Sequence, residues 1–114
     1  MKRDLDLVRE ILMQLEASEA VESNPTPPER CDEERFLYHL DILEEAGFVK
    51  IGEKTYDGYS DCRLTWSGHE HLNAIRDSGV WSKVKEKTAQ FEGVPVSVIG
   101  EFAATLIQQR LLEP

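Results

Sequence analysis

Positive charge is what this chain has least of: 13 lysines and arginines face 22 aspartates and glutamates in 114 residues, a formal net charge of −9 and a pI near 4.8. That balance favours solubility and works against nonspecific attraction to nucleic acid or anionic membrane, both of which are polyanionic. No apolar run approaches the roughly 18 residues that cross a bilayer, and MKRDLDLVRE at the start lacks the apolar stretch of a secretory signal. A cytoplasmic location is therefore expected. Cysteine is scarce as well: Cys31 and Cys62 are too few for a disulfide framework and are expected as reduced, semi-buried small residues.

Catalytic patterns are thin. No glycine-rich loop is present to cradle a phosphate, no local motif activates a thiol beside His39, and Ser67-Gly68 lacks the preceding glycine of a nucleophile elbow. His69 and His71 are two residues apart, about 200° around a helix, so they do not readily share one metal ion; His69 is expected at a packed junction and His71 in solvent. The expectation is a non-enzymatic chain with no cofactor, no metal and no small-molecule substrate.

With 40% hydrophobic residues, what is present fits one domain with one core. From Asp4 to about Ser18, Leu5, Val8, Ile11, Leu12 and Leu15 recur at helical spacing. SEAVESNPTPPER loses that period and carries Pro25, Pro27 and Pro28, so it reads as a loop, although Thr26, Pro27 and Glu29 could start a single helical turn. Asp32 to Ala46 is helical again, with Phe36, His39, Leu40 and Leu43 inward and Gly47 as its left-handed stop. FVKIGE and DCRLTW then form a β-hairpin around KTYDGYS, where Asp57-Gly58 suits a tight turn. Thr65 or Ser67 caps a helix through Asp77, with Gly68 in its first turn permitting close approach to the hairpin. Ser78 caps another helix, ending before Gly93. A last helix from Pro95 or Val96 to Leu112 carries a broad apolar arc.

The order helix, proline-rich loop, helix, hairpin, helix is that of a winged-helix domain, and LTWSGHEHL, residues 64 to 72, looks like the strand-to-helix junction Leu-Thr-x-x-Gly-x-x-x-Leu of many such domains. MKRDLDLVREIL, YHLDILEEAGFV and RLTWSGHEHLNAIRDSGVWSKVKEK together resemble a bacterial and prophage-encoded family of small uncharacterised proteins. The resemblance implies an α+β, winged-helix-like core over residues 1–79, a helical C-terminal extension over 80–114 packed on it, and an origin near phage or mobile-element genes. It supplies no catalytic residues. Residues 20 to 30 depart from the family, with prolines where a short strand is expected.

A DNA-reading helix meets phosphates, yet the outward face of the helix over 32–46 is Glu34, Tyr38, Asp41 and Glu45, with Ile42 at its margin. That face is the first candidate interaction surface. The wing offers Lys50, Lys54 and Arg63 with Tyr56 and Tyr59 near its tip, a set that could touch a phosphate backbone. Ile99, Phe102, Leu106 and Leu111 of the last helix are the third candidate, a surface for pairing with a second copy. The expected role is a protein-interaction or regulatory module with an unknown protein partner or itself as a homodimer. Sequence-specific DNA binding as a transcriptional regulator is the alternative.

Overall fold

A computed structural model describing residues 1–114 has five helices and a two-stranded antiparallel sheet, in the order α1 (Leu5–Ala17), α2 (Glu33–Glu45), β1 (Val49–Thr55), β2 (Gly58–Leu64), α3 (Trp66–Ile75), α4 (Ser78–Thr88) and α5 (Val96–Leu111). The class is α+β. The chain divides into two compact units, Met1–Glu70 and His71–Pro114, with the boundary within α3.

In the first unit, Asp4 caps α1 by accepting the Leu7 N–H at 3.1 Å, and Asp32 caps α2 by accepting that of Arg35 at 2.8 Å. Val8, Ile11, Leu12 and Leu15 of α1 are buried as their spacing predicts, but the first residue of that face is fully buried Leu7 rather than Leu5, which is half-buried. Phe36, His39, Leu40 and Leu43 of α2 form the inward face their spacing predicts. The end of α2 is a Schellman motif: Phe48 N–H reaches Leu43 O and Gly47 N–H reaches Glu44 O, with Gly47 at φ +82°.

His39 is fully buried where the two helices meet. Its Nε2 accepts the backbone N–H of Asp4 at 2.8 Å, so the ring proton sits on Nδ1, which donates to the Arg35 carbonyl at 2.8 Å. The Asp4 carboxylate meanwhile meets Arg30 at 3.4 Å and Arg35 at 3.5 Å. Burial alone would raise the Asp4 pKa; the Leu7 N–H and the two guanidinium groups outweigh it and hold the carboxyl below its ordinary value.

The proline-rich segment is a loop, held from outside itself. Gln14 grips the backbone of Thr26 with both ends of its amide, accepting at 2.7 Å and donating at 2.9 Å. Ser23 forms an isolated antiparallel bridge with Cys62, through hydrogen bonds of 2.9 and 2.8 Å. Cys31 N–H to Pro28 O at 3.0 Å closes a β-turn that starts two residues later than the helical turn considered from Thr26. Both cysteines are free thiols; Cys31 is half-buried, and Cys62 is fully buried, which pushes its pKa up to about 11.

β1 and β2 pair from Val49↔Leu64 to Thr55↔Gly58, leaving only Tyr56 and Asp57 as the loop. The strands thus run further into KTYDGYS than expected, with Gly58 following the turn at φ +140°. Thr65 then fastens strand to helix three ways: its N–H donates to Phe48 O at 3.0 Å, its hydroxyl donates to Gly47 O, and the same oxygen accepts the Gly68 N–H at 3.0 Å. Thr65, not Ser67, is the cap. A Cβ on Gly68 would fall 2.1 Å from the Phe48 carbonyl oxygen, so only glycine permits this approach.

In the second unit, the cap of α4 is Asp77 rather than Ser78, accepting the Val80 N–H at 2.9 Å, and α3 stops at Ile75, short of the expected Asp77. Val80, Trp81 and Val84 of α4 are buried, with Ile99 and Ala103 of α5. α4 and α5 run antiparallel, since the start of α4 meets the end of α5 at Asp77 and Arg110, 3.9 Å apart. His69 is exposed and His71 half-buried, with its ring beside Gly100, the reverse of the expected placement; burial lowers the His71 pKa.

Gly68→Leu is expected to destabilise the protein by about 1–3 kcal/mol through overpacking against the Phe48 backbone, read as a lower midpoint in urea. An unchanged midpoint would contradict the close approach.

Candidate interaction surface

Glu34, Tyr38 and Glu45 of α2 are exposed, whereas Asp41 and Ile42 are half-buried. Asp41 is not a free carboxylate. Lys54 of β1 places its Nζ 2.9 Å from Asp41 and 2.8 Å from Glu44, while the Tyr59 hydroxyl donates to Asp41 at 2.8 Å. The same Nζ lies 5.5 Å from the centre of the Tyr59 ring. Lys54 and Tyr59 are cross-strand partners in the hairpin, so one rung of the wing closes on one turn of α2. Two surfaces that the sequence presents separately are therefore partly one. Glu44, absent from both, completes the cluster and accepts the Ile51 N–H at 3.1 Å.

The electrostatics follow from this pairing. Hydrogen bonds to Glu44 and then Asp41 raise the Lys54 pKa. The hydrogen bond from Lys54 lowers that of Glu44, and the bond to Asp41 raises that of the Tyr59 phenol. The charge of Lys54 is thereby neutralised within the chain.

The rest of the wing is less engaged. Lys50 is exposed opposite half-buried Arg63, whose guanidinium donates to the Leu64 carbonyl at 3.3 Å. Tyr56, at the tip, is fully exposed. In α5, Ile99 is buried in the chain itself, so it is not available for pairing. Phe102 and Leu106 are half-buried, and Leu111 is 78% exposed. The broad apolar arc is thus partly consumed at home, while Val98 and Leu112 remain exposed, at 47% and 85%. Phe91, in the segment before α5, and Leu112, its C-terminal cap, are exposed as well.

The two units define an α+β chain with no helix long and apolar enough to cross a membrane. The chain belongs to the family described as "Hypothetical protein (DUF2513)", which matches residues 2–95. It is also similar to a protein of Haemophilus influenzae (strain Rd) bearing the name "Uncharacterized protein": 32% identity over 120 residues, covering 97% of this chain and 99% of that one. No solved structure matches the chain.

Because the Glu44 pKa is depressed in the folded chain, its pairing stabilises fully above the ordinary carboxylate value of 4.5 and fades as pH falls through the folded value. Lys54→Met should lower the urea midpoint only slightly at pH 7, because the pair is exposed and solvent screens it, and the difference from wild type should shrink below pH 4.5. Urea titrations at about pH 7 and about pH 3.5 measure both; a gap that widens in acid contradicts the pairing.

Proposed function

We propose that this chain is a non-enzymatic interaction module whose first unit is winged-helix-like and meets a basic partner protein on the outward face of α2. The observation that carries the reading is the disposal of charge. Residues 1–70 hold 17 acids and 8 bases, and residues 71–114 hold five of each, so the whole net charge belongs to the first unit. Arg30, Arg35 and Lys54 are already spent on carboxylates of that unit. Glu34 and Glu45 stay exposed beside Tyr38 and half-buried Ile42, an acidic rim around a small aromatic and aliphatic centre of the kind protein interfaces use.

The winged-helix reading is supported by the order α1, Ser23 bridge, α2, hairpin, in which Ser23 occupies the place of a first sheet strand. Where a helix-turn-helix would have its first helix there is only the β-turn at Cys31. Resemblance to prophage-encoded chains is compatible with a regulatory module of mobile-element origin, working in the cytoplasm. Sequence-specific DNA binding is the second reading, favoured by Lys50 and Arg63 side by side on the wing below Tyr56. Two unspent cations are few for a phosphate backbone, and the reading helix would bring carboxylates to it.

Random duplex DNA at about 150 mM salt should show no submicromolar binding, measured by fluorescence anisotropy. Glu34→Lys with Glu45→Lys should create nonspecific, salt-sensitive DNA binding while the melting curve stays unchanged. The same double variant, used as bait in the native cells with nuclease present, should lose the basic proteins that wild type retains. Tight DNA binding by wild type, or partner retention indifferent to the double change, would reverse the order of the two readings.

A further inference from the structure

The flank of α5 that its own core leaves free has a regular spacing. Val98, Phe102, Thr105, Gln109 and Leu112 follow at intervals of four, three, four and three, which places them within about 80° on a helix and makes a seam of the kind that pairs helices. Leu112 belongs to it because the chain is still αR at that residue, with φ −87° and ψ −9°. The neighbouring flank, formed by Ser97, Glu101, Ala104 and Gln108, has no comparable apolar content.

Near Val98, a groove of about 250 Å³ opens between the end of α4 and the start of α5, lined by Phe91, Val98 and Phe102 with Lys87 at its edge. At the other end, Leu112 projects 85% exposed and is followed by Glu113. Leu112 does not reach the groove of its own chain, because fourteen residues of rigid helix separate it from Val98, about 21 Å. Whatever fills the groove in the manner of Leu112 comes from another molecule.

We propose that two copies of this chain pair through α5, antiparallel about a two-fold axis at Thr105, with Leu112 of each copy seated in the groove of the other. Thr105 lies midway between Val98 and Leu112, so setting Val98 against the partner's Leu112 sets Thr105 against the partner's Thr105. Charge selects this direction. Antiparallel pairing brings Lys87 to the partner's Glu113, whereas parallel pairing would place Lys87 by the partner's Lys87 and Glu113 by the partner's Glu113. One patch serves both copies, so the assembly closes at two. The pairing is independent of what binds α2.

Sedimentation equilibrium of the full chain at tens of micromolar should give a dimer. Leu112→Asp and Lys87→Glu should each weaken it by about tenfold or more, while Lys87→Glu combined with Glu113→Lys should restore it to within about threefold. These residues are exposed, and circular dichroism checks that each variant is folded. Thr105→Cys in a Cys31→Ser background should form a disulfide-linked dimer under mild oxidation. A monomer at that concentration, a dimer indifferent to both single changes, or a dimer of the Thr105→Cys variant that stays unlinked would each overturn the proposal.

Discussion

The buried ring of His39 sets two helices against one another. The start of α1 has backbone N–H groups with no partner within the helix, and Asp4 N–H, just ahead of it, is satisfied by an imidazole nitrogen from α2. The ring holds only in one tautomer and one rotamer, because its other nitrogen is committed to the carbonyl of Arg35 one turn back. A hydrocarbon of similar size would fill the space but strip the Asp4 N–H of its partner. Asp4 multiplies the constraint. It caps α1 with its side chain, offers its N–H to His39, and draws Arg30 and Arg35 onto one carboxylate, which ties the end of the proline-rich loop to both helices. Even Arg30 serves twice, reaching Glu10 of α1 at 3.0 Å.

With α1 and α2 fixed, the hairpin has two anchorages of different character. At its base, Gly68 and Thr65 weld strand to helix through backbone groups that a side chain would displace. Further out, Lys54 and Tyr59 hold it to α2 through exposed charges, which solvent and salt weaken. The base is therefore the rigid end and the tip the yielding one. The acidity of α2 acquires a partial physical reason from the same contact: some of its carboxylates are turned upon the chain's own lysine.

Elements whose signals are local were legible in the sequence. The stripe of α1 from Val8 onward, the inward face of α2 with His39 included and the Gly47 stop each depend on residues within a few positions of one another. Gly68 shows in the local strand-to-helix motif, although the backbone it makes room for, Phe48, lies twenty positions back. What was illegible depends on distant partners. Nothing in residues 20 to 30 announces that Gln14 will grip Thr26 or that Ser23 will bridge to Cys62. The closing of Lys54 on Asp41 and Glu44 needs the hairpin's full length, and the turn-forming composition of KTYDGYS hides that Lys54, Thr55, Tyr59 and Ser60 are strand residues. Asp77 and Ser78 are both good caps, and sequence does not choose between neighbours of equal chemistry. The histidine reversal follows from helix phase: with the helix begun at Trp66, His69 turns to solvent and His71 toward Gly100.

The two tryptophans fall on opposite sides of the unit boundary and in opposite environments. Trp66, in the first unit, is 79% exposed, and Trp81, in the second, is 6% exposed. Unfolding changes the surroundings of Trp81 and hardly those of Trp66, so a shift in indole emission follows the second unit. Cys62 complements it: fully buried in the first unit and bridged to the loop, its thiol meets an alkylating reagent only when that unit opens. The chain thus carries a native optical probe for one half and, in the slower of its two thiols, a native chemical probe for the other, and comparing the two tells whether the halves unfold as one cooperative block.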